Sequence, residues 1–356
     1  FEYSKFTSKI ATELAPYEKA YKSAKEKNDT AELRKNREKI AELEAKLTDY
    51  RTEVINTKPK FLLAKTFLMM RDPKIPEAPI LENGKQDSAF VYNYYKEHFL
   101  DNFDFSDDRI VYTPVFAGRI IYYITKVIIQ IPDSINKAAD KIVGAALKHN
   151  SREISKWAIF WITNHYETSQ YMGMDAVFVH MAKKYYADST IAYWVDETLR
   201  YKIADKVEKT ENNLIGLIGP NLAMPDTAWN IRELHKIKSK YTLVIFWDAN
   251  CGRCKEEIPH LQKLYERLNK QKYDGGKYFE VYAVSLTPTA DDWFKYVAQH
   301  KLPWINVSDL YNNSKYRKLY DVYSTPVIYL LGKDKKILAK RLSVEQVGEV
   351  IERGIE

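Results

Sequence analysis

Cys251 and Cys254 are the only thiols in this chain of 356 residues, and they stand in the run Asp248-Ala-Asn-Cys-Gly-Arg-Cys-Lys-Glu-Glu-Ile-Pro259. With two residues between them on the opening turn of a helix, their sulfurs come within bonding reach, and Gly252 leaves the first sulfur uncovered. A helix start also offers unpaired N–H groups and the positive end of the helix dipole, both of which favour thiolate over thiol. The pattern predicts an exchanging pair, with Cys251 the exposed nucleophile and Cys254 the more buried resolving thiol. The same spacing could supply half of a zinc site. Structural zinc takes four ligands, however, and no further cysteine exists; His260, the one histidine close by, reads as a surface residue, so no metal is expected.

The flanking residues say what must position the pair. Leu243-Val-Ile-Phe-Trp247 is short, apolar and β-branched, as a strand buried on both faces would be. Past the turn at Asp248-Ala-Asn250, the residues Ile258, Leu261, Leu264, Tyr265 and Leu268 recur at helical spacing. A strand therefore delivers the chain into a helix whose first turn carries both sulfurs.

Phe246-Trp247, three residues and then Cys-Gly-Arg-Cys resembles the active-site entry of the thioredoxin superfamily. Thr325-Pro326 ahead of the apolar run Val327-Ile-Tyr-Leu-Leu331 resembles its cis-proline loop. Lys-Glu-Glu-Ile-Pro after the second cysteine is similar to the TlpA/ResA-like branch, bacterial thiol-disulfide oxidoreductases that work outside the cytoplasm. The resemblance covers the chain from about residue 214 onward. It implies that Trp247 packs beside the pair and that the Thr325-Pro326 bond is cis and faces Cys251, with the Thr325 backbone shaping a groove for the substrate chain. One position departs from the pattern: thioredoxin carries a buried acid where this chain has Ile245, which leaves proton transfer during resolution to Glu257 or water.

Arg253 adds positive charge near the thiolate, but an exposed charge is worth only about 0.5 kcal/mol, too little to separate reductant from oxidant. The class implies a reductant acting on protein thiols and disulfides, fed by a membrane or envelope electron donor. It needs no cofactor besides the redox-active disulfide. Two other readings remain: an envelope binding or scaffold protein whose helical domain captures a partner, and a thiol peroxidase-like antioxidant. Phe1 is not an initiator methionine, so we expect a preceding segment with any signal peptide or lipid-anchor cysteine to be missing from this chain, and the resemblance places the protein in the periplasm or cell envelope.

The composition, 45% hydrophobic with 13% aromatic residues, is ample for folded cores, and the length suits two domains or three. The net charge of +7 is small for this length, with lysines interleaved among acids, so nucleic-acid binding is unsupported. The most apolar run, Arg119 to Pro132, is too short to span a membrane and carries Arg119 and Lys126.

Ahead of the redox segment the pattern is helical. Ile10, Leu14, Tyr17, Tyr21 and Ala24 alternate steps of four and three, and Leu33, Ile40, Leu43, Leu47, Tyr50 and Val54 continue the rhythm after Lys27-Asn-Asp29, with Asn36 in the one empty seam position. An antiparallel helical hairpin follows, a partner-binding coiled coil being the alternative. Further helices are predicted over 59–69, 87–100, 115–131, 134–149, 153–166 and 191–207. Met172 and Met174 are read as core packing and His180 as a satisfied core or surface histidine, since no second histidine or carboxylate stands at ligand spacing. Their run, Tyr171-Met-Gly-Met-Asp-Ala-Val-Phe-Val-His180, resembles part of a helical domain that precedes thioredoxin-like domains in exported proteins of Bacteroidota-type bacteria.

The expected architecture is thus multidomain. An all-α N-terminal domain at 1–205 opens with the long hairpin, and 206–213 is a polar linker. An α/β thioredoxin-like domain at 214–356 has a central mixed sheet flanked by helices. It is expected to add a first strand near 218–225, a short helix at 229–237 and a closing helix from Val344 to Ile355. Oligomeric state has no signal in the sequence.

Overall fold

The computed structural model describes residues 2–311 and 313–354. Its contacts divide into two units, Phe1–Gln130 with Asp140–Trp157, and Ile131–Ala139 with Ala158–Glu356.

In the first unit, α1 (Glu2–Glu26) and α2 (Thr30–Thr57) form the hairpin that the seam predicts. They run antiparallel, because Phe6 near the start of α1 stacks on Tyr50 near the end of α2 at 4.7 Å. Asp29 caps α2 by accepting from the Glu32 N–H. Asn36 is buried in the seam, yet its Nδ2 donates to the Glu32 carbonyl at 2.7 Å and to its carboxylate at 3.0 Å, so its polar group is satisfied within its own helix. Next come α3 (Leu62–Met69), α4 (Phe90–His98) and α5 (Pro114–Tyr122), the last continued by a π turn at Tyr123–Val127. Aromatic rings fill this unit, with Phe67, Phe99 and Phe116 fully buried. Arg119, the charge inside the most apolar run, lies 4.1 Å over the Phe99 ring and pairs with Asp72 at 2.8 Å.

Helices α6 (Pro132–Lys148) and α7 (Arg152–Glu167) each contribute to both units. The second unit continues with α8 (Asp175–Met181), a π turn at Ala182–Tyr186, and α9 (Glu197–Thr210). The helix predicted from residue 191 starts later. Asp196 is in an extended conformation, and its side chain accepts the Leu199 N–H at 2.7 Å, so it caps α9 and the helix cannot run through it. Residues 206–213, expected as a linker, are instead the end of α9 and one 3₁₀ turn at Glu211–Asn213.

β1 (Ala223–Pro225) and β2 (Ile231–Glu233) then pair antiparallel. Here the helix predicted at 229–237 is replaced by a hairpin and a single 3₁₀ turn at Leu234–Lys236. The cause is Asp226, whose carboxylate accepts the N–H groups of Ala228 and Asn230 and binds Arg232, while Trp229 takes a left-handed φ of 64°.

The remaining elements are β3 (Ser239–Trp247), α10 (Gly252–Leu268), β4 (Lys277–Ser285), α11 (Ala290–His300), β5 (Ile305–Ser308), α12 (Tyr316–Leu319), β6 (Val327–Leu331), β7 (Ile337–Lys340) and α13 (Val344–Glu352). Ile355, the expected end of the closing helix, lies outside the described residues. The sheet order is β5-β4-β3-β6-β7, with β3 parallel to β4 and antiparallel to β6. This is the mixed sheet expected, and β3 lies at its centre. Leu243, Ile245 and Trp247 pack on one face with Ile258 and Leu261 of α10 and Val347 and Ile351 of α13. Val244 and Phe246 face the other way, among Tyr282, Val284, Tyr320 and Tyr329. Among the described residues, no helix is long and apolar enough to cross a membrane.

Candidate active site

Cys251 sits at the N-cap of α10 with extended backbone angles, and its sulfur accepts the N–H of Cys254 at 3.3 Å. Two short local bonds bring it there: the Asn250 N–H to the Asp248 carboxylate at 2.8 Å, and the Cys251 N–H to the Asp248 carbonyl at 3.1 Å. Both cysteines are free thiols. Cys251 is partly exposed and Cys254 wholly buried, the asymmetry that the spacing predicts. At Gly252, a Cβ would meet nothing within 4 Å and φ is not positive, so this glycine keeps the approach open and is not there to relieve backbone strain.

The two thiols are driven apart electrostatically. Burial raises the pKa of Cys251, but hydrogen bonds from the Cys254 thiol, the Thr325 side chain and the backbone N–H groups of Cys254 and Arg253 outweigh it and hold the value below that of an ordinary thiol. Cys254 is pushed up to about 12, first by burial and then by its hydrogen bond to Cys251. The exposed sulfur is therefore the more acidic of the two, and the buried one keeps its proton at neutral pH. Arg253 acts on the sulfur through its backbone, while its exposed guanidinium lines the cavity beside the pair.

Thr325-Pro326 is a cis peptide bond, and the Thr325 carbonyl accepts the Cys251 thiol at 3.4 Å, so the loop lies against the Cys251 sulfur. Trp247 is buried in the same cluster as Cys254 and meets the Tyr296 ring at 5.1 Å. Ile245 is equally buried there, an apolar side chain at the position where the resemblance has an acid. The Glu257 carboxylate accepts the Val344 N–H at 3.0 Å, tying α10 to the start of α13, and lines a cavity of 440 Å³ together with Arg253, Tyr323, Ser324 and Pro326. His260 is exposed; Met174 is buried and Met172 exposed.

Sequence reasoning passed over two groups. Thr287 Oγ1 accepts the buried Ala249 N–H at 3.0 Å and a hydrogen bond from Ser285 at 2.9 Å, which fixes the turn ahead of Cys251. Its signal was a hydroxyl pair just past the strand that neighbours the redox strand. Lys340, at the end of β7, is buried with its ammonium on the Asn213 carbonyl and side-chain oxygen, each at 2.9 Å, and on the Asp175 carboxylate. Nothing in the local sequence distinguishes it from an exposed strand lysine.

This fold, with one depressed and one buried thiol beside a cis-proline loop, defines a thioredoxin-like thiol-disulfide oxidoreductase. Residues 215–340 match the AhpC/TSA family, and residues 22–213 match a family described as a domain of unknown function, DUF5106. The chain belongs to the DUF5106 family, and the helical region is followed by a thioredoxin-like region similar to the AhpC/TSA family. A thiol-disulfide oxidoreductase ResA of Bacillus cereus is 28% identical over 155 residues, 44% of this chain and 83% of that protein. ResA of Bacillus thuringiensis is 27% identical over 144 residues, covering 40% and 78% respectively. A thioredoxin-like protein from Bacteroides caccae of known crystal structure covers 79% of this chain and 99% of its own at a TM-score of 0.55 and 19% identity, a likeness of fold.

Proposed function

We propose that this protein exchanges disulfides with protein substrates through Cys251 and Cys254, as a reductant outside the cytoplasm. The Cys251 thiolate attacks one sulfur of a substrate disulfide, forming a new S–S bond and expelling the other substrate sulfur as a thiolate. Cys254 then gives its proton to Glu257 or water and attacks Cys251, releasing the second substrate thiolate. Two electrons pass to the substrate, and the pair is left as a disulfide that a dithiol donor in the membrane or envelope reduces again.

The observation that carries this reading is the placement of the two thiols, Cys251 partly exposed at the N-cap of α10 beside the cis-proline loop and Cys254 buried behind it, which gives one sulfur for attack and one held in reserve. The relatives named thiol-disulfide oxidoreductase ResA support disulfide exchange, while the direction and the compartment rest on the resemblance of the motif after Cys254 to the TlpA/ResA-like branch. To test it, the reduced full chain is mixed with insulin. Wild type should cleave the interchain disulfides, Cys251→Ser should not react, and Cys254→Ser should stall as a mixed disulfide at Cys251. Cleavage that survives Cys251→Ser would contradict the assignment.

A further inference from the structure

The cavity beside the cysteine pair has a neighbour. A second cavity, of 390 Å³, lies between β7, the start of α13 and the loop that follows α7, and the two share Arg341, Leu342 and Gln346 as a common wall. We propose that the substrate groove continues from Arg253 and Pro326 across this wall onto the loop 168–173, where Tyr171 and Met172 receive the stretch of substrate polypeptide that flanks its reacting cysteine. This rests on the reading of Cys251 and Cys254 as the exchanging pair.

Three observations carry it. Tyr171 and Met172, 80% and 42% exposed, line the second cavity, and Tyr323, 57% exposed, lines the first, so each part of the trough presents a large apolar surface. The loop that presents them is preformed. The Tyr171 N–H binds Ser169 Oγ at 3.2 Å, the Met174 N–H binds the Tyr171 carbonyl at 3.3 Å, and Gly173 turns the chain at a φ of +86° with Ile215 3.4 Å from where a Cβ would be. Asp175, just beyond it, is held by buried Lys340. A tyrosine on so constrained a loop adds contact area at little entropic cost.

The third observation concerns charge. Arg341 is paired with Asp321, Lys340 with Asp175, and Glu167 with Lys206, which leaves the trough no strong sign of its own. The occupant this fits is an extended peptide recognised by aromatic contact, continuous with the segment that docks at the cis-proline loop. A small thiol compound would reach only the first cavity.

The test uses the full chain carrying Cys254→Ser and two probes, each a cysteine activated as its mixed disulfide with thionitrobenzoate. One probe is a blocked single cysteine, and the other carries several residues on either side. Attack by Cys251 joins the peptide sulfur to the protein and releases one thionitrobenzoate per event. The longer probe should react about tenfold faster at limiting concentration, the scale of one well-buried aromatic contact. Tyr171→Ser should remove that gain and leave the single-cysteine rate unchanged, Met172→Ser should reduce the gain, and Tyr171→Phe should retain it. A gain that is absent in the parent, or that persists in Tyr171→Ser, would overturn the proposal. If the single cysteine fails to react at Cys251, the exchange reading itself falls, and this inference with it.

Discussion

Lys340 on β7 and Asp175 at the start of α8 form an ion pair in which the lysine side chain is 5% exposed, with Asn213 supplying two further oxygens at 2.9 Å. Burial lowers the Lys340 pKa, and the Asp175 charge opposes that shift. Asp175→Ala removes the counter-charge and should cost about 3 kcal/mol, the scale for an unpaired buried charge. Lys340→Met should cost less, since Asp175 is nearer solvent. Because the folded pKa lies below the unfolded one, the unfolded chain holds more protons between the two values. The stability of Asp175→Ala should therefore recover as pH rises through that window. Urea unfolding across pH checks both statements, and equal losses in the two variants would refute the account.

In the helical unit, Lys65 on α3 bridges Asp104 at 2.7 Å and Asp107 at 2.5 Å. Arg109 first and then Lys65 hold the Asp107 carboxyl well below the usual range against the pull of burial. For Asp104, burial raises the pKa, but the bonds from Lys65 and Ser106 outweigh it. Depressed carboxyl pKa values stabilise the fold above the unfolded value of about 4, and that contribution is lost as pH falls through the folded values. Lys65→Met should cost roughly 2 kcal/mol at neutral pH. The difference from wild type should shrink in acid; a gap unchanged by pH would exclude this cause.

Thr287→Val keeps the shape of the side chain and removes the acceptor for the buried Ala249 N–H. An orphaned N–H costs about 1–3 kcal/mol, and the turn it holds leads directly into Cys251. The variant should fold with lower stability, and its Cys251 should alkylate more slowly at neutral pH. An unaltered alkylation rate would show that this turn does not position the sulfur.

How much of this was readable in the sequence follows from the range of each interaction. Cys251, Cys254 and the strand Leu243–Trp247 announce themselves because spacing and apolar periodicity are local properties. The hairpin seam did so as well, including Asn36, whose hydrogen bonds stay within one turn of its own helix. Thr287 stands 38 residues from the amide it fixes and Lys340 127 from Asn213, separations that no window of sequence spans. The helix expected at 229–237 failed for a different reason. Asp226 captures two backbone N–H groups, and that turn chemistry overrides the helical pattern downstream.

Glu257→Gln separates anchoring from proton transfer, because the amide oxygen can still accept the Val344 N–H. The fold should be unchanged. If the carboxylate takes the Cys254 proton, resolution of a preformed Cys251 mixed disulfide should slow by about tenfold or more near pH 7, and less at alkaline pH. Unchanged resolution would leave Glu257 as the tie between α10 and α13 alone.

The central claim is that Cys251 is the more acidic thiol while Cys254 keeps its proton. Its most direct measurement is the rate of iodoacetamide labelling of each cysteine in the reduced full chain from acid to alkaline pH, with the labelled residue identified by peptide mass. Cys251 should label first, with an inflection below the ordinary thiol value, and Cys254 should stay protected until pH approaches its value of about 12. Labelling of Cys254 ahead of Cys251 at neutral pH, or a Cys251 inflection at or above that of a free thiol, would contradict the account.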